Sequence, residues 1–189
     1  PRAPILDAPV IGTESITVSG TGLARAEIIV LLSSGGNVVT QTGDIDNDNA
    51  VAIVVTSGED QFLGILYIDG TGKFSLPEYR SLDYYPSGIA CGDLNGDDRE
   101  DILVSGETNL GVWLNLETGL QYCNIASDTD YVWAEEIADI DQDGDNDIIG
   151  SIWYMPGAKT KIAIYSNDGN GNFQLSLIKW IDEARDNIF

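Results

Sequence analysis

The 189-residue chain contains no histidine, and this absence removes several functional classes. Histidine is the commonest general base, belongs to the usual nucleophilic triads and is a frequent ligand of catalytic zinc. Glycoside hydrolysis needs two facing carboxylates, but Glu135 and Glu136 are neighbours and would point to opposite faces of a strand. We therefore predict that the protein is not an enzyme, with a polysaccharide-acting enzyme as the least supported alternative.

Basic residues are also scarce, because nine Lys and Arg stand against 31 Asp and Glu and give a formal net charge of -22. Nucleic acids and anionic membrane surfaces are bound through basic patches, so we predict that neither is a partner. The apolar runs of the chain fall far below the roughly 20 residues of a membrane-spanning helix, so membrane insertion is not expected. Cations are the ligands that this charge favours.

Sulfur-containing residues are few as well, since Cys91 and Cys123 are the only cysteines and Met155 is the only methionine. The two cysteines could form one disulfide in an oxidising compartment or remain small buried side chains, and the sequence leaves both options open. Because the chain begins at Pro1 and its one methionine lies far inside it, we expect processing or trimming at the N-terminus. From this we expect an extracellular or cell-surface location.

What the sequence does contain is a repeated acidic segment, whose leading aspartates are 49 and 46 residues apart. Carboxylates about 4 Å apart repel each other by roughly 1 kcal/mol per pair even in water. A hard cation with oxygen ligands is the usual compensation, and a solvated acidic turn is the alternative. The three segments are GDIDNDNAVAIVV from Gly43, GDLNGDDREDILV from Gly92 and ADIDQDGDNDIIG from Ala138.

A second signature, rich in glycine, lies between the acidic segments: DGTGKFSL from Asp69, DGNGNFQL from Asp168 and the degenerate LETGLQY from Leu116. Short β-branched or aromatic segments flank each of these turns, so each is typical of a β-hairpin. One unit is therefore strand, acidic loop, strand, strand, Gly turn, strand. Four short strands in 46 to 49 residues are typical of one blade of a β-propeller.

The two ends of the chain complete one more unit. Residues 1–37 align with the first Gly-turn hairpin at an offset of 50 and supply three strands, while residues 181–189 supply the missing innermost strand. We predict one all-β domain over 1–189, a four-bladed propeller with four antiparallel strands per blade. Three blades are the units at about 38–85, 86–130 and 131–180. The fourth is a composite blade from 181–189 plus 1–37, which closes the ring and leaves no free sheet edge. A fragment of a larger propeller, one module of a tandem array, and donation of the terminal strand to a neighbouring copy remain open.

Each acidic segment offers the ligands of a nine-residue cation loop, with side-chain oxygens at positions 1, 3, 5 and 9 and a backbone carbonyl at position 7. A helical EF-hand is excluded, because position 12 lacks its glutamate and the flanking residues are β-branched. The irregular carboxylate geometry favours calcium over magnesium. The predicted ligands are Asp139, Asp141, Asp143, Asp145 and Asp147 in the third loop, Asp93, Asn95, Asp97, Arg99 and Asp101 in the second, and Asp44, Asp46 and Asp48 in the first.

The three loops differ in completeness. The third has every predicted ligand and Gly144 at the tight position 6, where a positive φ is easiest. The second has Asp98 at that position, which tolerates the left-handed region. The first has Ala52 in place of the ninth-position acid and so loses one anionic ligand. We therefore expect two well-formed calcium sites and a third, weaker one in the first loop.

The segments DIDNDN, DLNGDDRED and DIDQDGDND, each followed by an apolar strand, resemble the FG-GAP or VCBS repeats. Blades of that family form the head propeller of integrin α-subunits and occur in many bacterial surface proteins. The resemblance covers nearly the whole chain and implies calcium binding by the second and third loops through the residues named above. The chain departs from the family at Ala52, in lacking a fourth acidic loop, and in having fewer units than the family commonly builds.

We expect a calcium-stabilised, secreted or surface-borne module that works by association with calcium and with a protein partner or copies of itself, in the latter case as a fibre. The alternative is a carbohydrate-binding lectin, because aromatic residues could stack on sugars, although we expect the aromatics of a blade to pack more often between sheets. Tyr84 and Tyr85 lie in the Pro-containing link between two units, where we expect them to be exposed, and they are the candidate ligand contacts. The other aromatics considered are Trp113, Trp133, Trp153, Trp180 and Tyr154.

Overall fold

The computed structural model of the protein describes residues 13–18, 26–31, 38–69, 71–106, 109–127, 131–154 and 159–180. These residues form fourteen β-strands, and among them there is no helix of the length and apolarity needed to span a membrane. The all-β class predicted from the sequence is confirmed. Residues 181–189 and most of residues 1–37, which were predicted to form the composite blade, lie outside the described ranges.

Near the N-terminus, β1 (Thr13–Val18) and β2 (Ala26–Leu31) form an antiparallel hairpin. The other strands form three four-stranded antiparallel sheets. The first sheet contains β3 (Val38–Gly43), β4 (Ala52–Ser57), β5 (Phe62–Leu66) and β6 (Glu78–Ser81). The second contains β7 (Pro86–Gly92), β8 (Asp101–Gly106), β9 (Asn109–Leu116) and β10 (Gly119–Ser127). The third contains β11 (Tyr131–Ala138), β12 (Asp147–Tyr154), β13 (Lys159–Asn167) and β14 (Phe173–Trp180).

Each of the three sheets follows the chain in simple up-and-down order, and the same connections recur at the same places. An acidic loop joins the first strand to the second, and a Gly turn joins the third strand to the fourth. The order of strands and loops predicted for one unit is thus observed in all three sheets. The sequence period reflects a repeated sheet, because the turn chemistry recurs wherever the chain reverses.

Consecutive sheets pack face to face through apolar side chains, and the second sheet is covered on both faces. In β8, Ile102 and Val104 pack against the first sheet, whereas Leu103 packs against the third. A strand buried on both faces has no polar alternation, which explains the continuous apolar run after the second acidic loop. The first strands of consecutive sheets are also adjacent, since β3 contacts β7 and β7 contacts β11. This brings the three acidic loops to one side of the stacked sheets.

The link between the first and second sheets is buried more deeply than the sequence suggested. Tyr84 is 6% exposed, and Tyr85 is half-buried against Gly58. A side chain at Gly106 would collide with the backbone of Tyr85 and the ring of Tyr84, so this glycine permits the close approach. Burial also raises the pKa of the Tyr84 hydroxyl. The expectation that Tyr84 is exposed is therefore wrong, because its ring fills the space between two sheets.

One tryptophan can be assigned to packing. Trp113 packs against the core cluster between the first and second sheets, and its ring centroid lies 5.1 Å from that of Tyr122. The interpretation of this residue as part of the core is confirmed. The side chains of Trp133, Trp153 and Trp180 lie outside the described part of the structure.

The two cysteines are free and lie too far apart to form a disulfide with each other. Cys91 is in β7 and Cys123 in β10, which are the two edge strands of the second sheet. Adjacent strands are about 4.8 Å apart, so three spacings separate the two residues by about 14 Å, whereas a disulfide needs Cα atoms within about 7 Å. Burial raises the pKa of the Cys91 thiol to about 12, so this cysteine is an inert packing residue.

Candidate metal centres

The leading aspartate organises each acidic loop by accepting hydrogen bonds from backbone amides further along. In the third loop, the two carboxylate oxygens of Asp139 accept from Gln142 N at 2.7 Å and Gly144 N at 3.1 Å. In the first loop, Asp44 accepts in the same way from Asp48 N and Asn49 N. The loop is therefore folded around its first carboxylate before any cation is considered.

The backbone of each loop turns sharply at two positions where φ is positive. The positive φ predicted at position 6 is confirmed at Gly144 and Asp98, and it also occurs at Asn49. The sequence reasoning missed a second positive φ, at position 4. The residues there are Asn47, Gly96 and Gln142. Asn at position 4 of the first loop and Gly at position 4 of the second were the available signal, since both residues favour this conformation.

Two of the three loops gather three carboxylates closely enough to share one ion. The ligand oxygens of Asp44, Asp46 and Asp48 lie within 4.8 Å of one another in the first loop, and those of Asp139, Asp141 and Asp147 do so in the third. Among the described residues, the second loop does not form such a group of three carboxylates, and Asn95 offers an amide oxygen at its position 3. The structure therefore brings together six of the predicted carboxylates, whereas Asp143 of the third loop and the predicted side-chain ligands of the second loop are not part of such a group.

The position-7 residue of the third loop directs its side chain away from this group. The carboxylate of Asp145 lies beside Gly169 in the Gly turn, where any larger residue would collide with it. Its side chain is therefore placed against the neighbouring turn, which leaves the backbone carbonyl as the group that position 7 can offer. The carbonyls of Asp145 and Arg99 as cation ligands stay predictions.

Desolvation and neighbouring charges disfavour the ionised forms of three loop carboxylates, those of Asp46, Asp141 and Asp145. The pKa of Asp141 is raised by desolvation and then by the charge of Asp143. The pKa of Asp46 is raised by desolvation and by Asp48, and that of Asp145 by desolvation and by Asp143. A divalent cation would reverse this effect, since an adjacent positive charge favours the carboxylate. All the gathered donors are oxygens, which fits a hard cation such as calcium and not a thiolate-seeking metal.

The ninth-position acids have a second role that the sequence did not reveal. Asp101 is 0% exposed and accepts from Leu94 N at 2.8 Å and from Asn115 N at 2.6 Å. The equivalent Asp147 is 1% exposed and accepts from Ile140 N and Asn167 N. Each acid thus fastens the start of its own loop to the third strand of its own sheet.

Burial dominates the titration of the ninth-position acid in the second loop. Desolvation raises the pKa of Asp101 to about 6, although the amides of Asn115 and Leu94 lower it and the charges of Asp97 and Asp93 add a smaller increase. In the first loop the same position is Ala52, which is buried in the core between the first and second sheets. That loop therefore lacks both the ninth anionic ligand and the fastening carboxylate.

The comparison with known families covers the first two loops. The family model of the FG-GAP-like repeat matches residues 44–104, which begin at the first acidic loop and end within β8, after the second loop. No curated protein matches the chain.

Proposed function

We propose that the protein is a calcium-stabilised extracellular β-propeller module with a structural or adhesive role, and the match of residues 44–104 to the FG-GAP-like repeat supports this proposal. The observation that carries the proposal is the gathering of three carboxylates within 4.8 Å in two separate loops. Such groups are unfavourable without a cation, because desolvation and then the charges of neighbouring aspartates raise the pKa of Asp46 and that of Asp141. The proposal gives the chain no catalytic role.

Propeller architecture is supported by the way consecutive sheets repeat. Three sheets of the same topology pack face to face, and their first strands lie side by side as the inner strands of blades do. We place residues 181–189 and 1–37 in a fourth, composite blade that closes the ring. The hairpin of β1 and β2 supplies two of its strands.

Calcium bound at these loops would stabilise the fold and would not have a regulatory role. Extracellular calcium modules bind with dissociation constants of about 10⁻⁴ to 10⁻³ M, which suits an environment where calcium is constantly high. The acidic loop joins the first two strands of each sheet, so a cation there allows the turn to close against carboxylate repulsion. We propose well-formed sites in the second and third loops from their complete sets of predicted ligands, although the three carboxylates of the second loop are not gathered as those of the first and third are. The first loop is proposed as the weaker site because Ala52 replaces its ninth-position acid.

Calcium titration of single-site variants tests this assignment. Asp141→Asn removes a central carboxylate of the third loop and is expected to abolish one of the tighter sites in isothermal calorimetry. Asp46→Asn is expected to remove only the weakest binding phase, because the first loop has one anionic ligand fewer. Each lost ligand is expected to weaken its site by at least about tenfold.

The matched control for this titration is Glu59→Gln, which removes one negative charge from an exposed turn outside the loops. It should leave the stoichiometry and the affinities unchanged. If Asp141→Asn bound calcium as the unaltered protein does, or if Glu59→Gln weakened binding equally, diffuse charge attraction would replace site binding as the explanation.

For the partner, we propose another protein or further copies of the chain, joined through the terminal strands that meet at the seam of the composite blade. Sedimentation velocity in calcium and in chelator tests self-association. We expect larger species in calcium that grow with protein concentration, because bound cations reduce the repulsion that arises from a net charge of -22. One monomeric species at all concentrations under both conditions would rule out a homopolymer.

A further inference from the structure

One buried asparagine connects the acidic loops of the second and third sheets. The side-chain amide of Asn167, at the end of β13, donates to the carbonyl of Leu94 in the second loop at 2.8 Å and to the carbonyl of Asn146 in the third loop at 2.9 Å. Its backbone amide donates to Asp147 at 2.9 Å. Asn167 is buried, so these bonds are not exchanged freely with water.

The same arrangement occurs one sheet earlier. The side-chain amide of Asn115, in β9, donates to the carbonyl of Ile45 in the first loop and to the carbonyl of Glu100 in the second loop. Its backbone amide donates to Asp101. In both cases the amide joins loop position 2 of the preceding sheet to position 8 of its own sheet and is held by the acid at position 9.

A further contact strengthens the connection between the second and third loops. The side chain of Asn146 donates to the carbonyl of Asp93 at 2.9 Å, so residues 93 and 94 are both held by groups from the third sheet. The side chain at loop position 2 is also covered by the next sheet, since Ile45 and Leu94 are fully buried. Ile140, the equivalent residue of the third loop, is 44% exposed.

In the first sheet the ninth-position acid and the bridging asparagine are absent together. Its ninth position is Ala52, and the residue before its Gly turn, equivalent to Asn167, is Ile68. Both are buried. Replacing a buried hydrogen-bonded pair by two apolar residues avoids an orphaned donor or acceptor. The first sheet therefore lacks both the acid and the amide, and with them this connection to a neighbouring loop.

We propose that Asn115 and Asn167 are positioning residues that couple neighbouring cation loops, so that the affinities of the first and second loops for calcium depend on an amide supplied by the next sheet. This inference rests on the proposed function. Asp93, the leading ligand of the second loop, and the adjacent Leu94 have their carbonyls fixed from outside that loop, which orients the carboxylate that starts the site. Asp147 is both a predicted ligand of the third loop and the acceptor that holds Asn167, so calcium in the third loop fixes the amide that the second loop receives and raises the affinity of the second loop. By reciprocity, calcium in the second loop raises the affinity of the third.

The test uses the full chain and follows each loop separately. Hydrogen exchange of peptides that cover residues 43–50 and 93–101, measured along a calcium titration, reports the first and second loops. Asn167→Ala is expected to weaken binding in the second loop by about 10- to 100-fold, the usual cost of losing a group that orients a ligand. The first loop is expected to keep its affinity, because it receives its amide from Asn115.

A matched control is Asn172→Ala, since Asn172 is an exposed asparagine in the adjacent Gly turn whose amide bonds only within that turn to Asp168. It should change neither loop. Equal weakening of both loops by Asn167→Ala would show general destabilisation, and an unchanged second loop would show no coupling. Either result overturns the inference.

Two further measurements keep the inference testable if Asn167→Ala does not fold. Asn167→Leu preserves much of the volume without a donor and is expected to have the same selective effect. In the otherwise unaltered protein, Asp141→Asn is expected to weaken the second loop through the reciprocal coupling, and an unchanged second loop would overturn the inference. If the unaltered protein bound no calcium, the proposed function itself would fail, which is a different result from calcium binding without coupling.

Discussion

Calcium is expected to raise the free energy of unfolding of the metal-free protein by about 5 kcal/mol, because each well-formed site contributes about 2.7 kcal/mol at a concentration one hundred times its dissociation constant. For a domain of 150 to 250 residues this corresponds to a rise in the melting temperature of about 10 to 20 °C. The physical origin is the closeness of carboxylates in the loops, as at Asp141 of the third loop, whose ionised form is disfavoured by desolvation and by the charge of Asp143 until a cation is bound. Thermal unfolding followed by circular dichroism in calcium-free and calcium-containing buffer measures the effect.

Ionic strength is the necessary control for this result. Exposed carboxylates also repel each other less in concentrated salt, so sodium chloride at matched ionic strength gives the contribution of screening alone. Magnesium is expected to stabilise less than calcium, since it requires stricter octahedral geometry and releases water reluctantly. Equal stabilisation by all three salts would show that the loops are acidic turns without a specific ion.

The second large effect is expected from Asp101→Ala. This change leaves two buried amides, Leu94 N and Asn115 N, without their acceptor. Each unsatisfied buried donor costs about 1 to 3 kcal/mol, so we expect a loss of about 2 to 5 kcal/mol in calcium. In calcium-free buffer the loss is expected to be smaller, because removing the carboxylate also relieves the cost of burying its charge. Urea unfolding under both conditions measures the two values.

Asp97→Ala is the matched control, since Asp97 is an exposed acid of the same loop that accepts one hydrogen bond from Arg99 N. In calcium-free buffer it is expected to change the free energy of unfolding by no more than about 0.5 kcal/mol, as exposed substitutions usually do. If Asp97→Ala and Asp101→Ala were equally destabilising in that buffer, the two buried amide bonds of Asp101 would not be the cause.

The raised pKa of Asp101 also fixes the direction of a pH dependence. Between the ordinary value of 3.8 and the folded value of about 6, the folded state binds more protons than the unfolded state. Stability from this group is therefore greatest at low pH and falls by roughly 3 kcal/mol as the pH rises through 6. In calcium-free buffer the protein should be more stable at pH 5 than at pH 7, and Asp101→Ala should reduce that difference.

The secondary structure and the loops of this protein could be predicted from local sequence patterns. The acidic loops and Gly turns recur at fixed spacing, and both depend on residues a few positions apart, such as Asp139 and Gly144. The positive φ at Gly144 and Asp98 could be anticipated because it depends on the residue itself. The sequence by itself therefore determined the all-β class, the four-stranded unit and the positions of the acidic loops, but not which of these loops gather three carboxylates.

Only the tertiary structure decided which polar groups are buried and what they bind. The bonds from Asn115 to Ile45 and from Asn167 to Leu94 join residues 70 and 73 positions apart, a distance over which neither strand alternation nor turn chemistry constrains the partner. The exposure of Tyr84 was predicted wrongly for the same reason, because its burial depends on Gly106 at the end of β8. Sequence periodicity is set by neighbours along the chain, whereas these contacts are set by the packing of one sheet on the next.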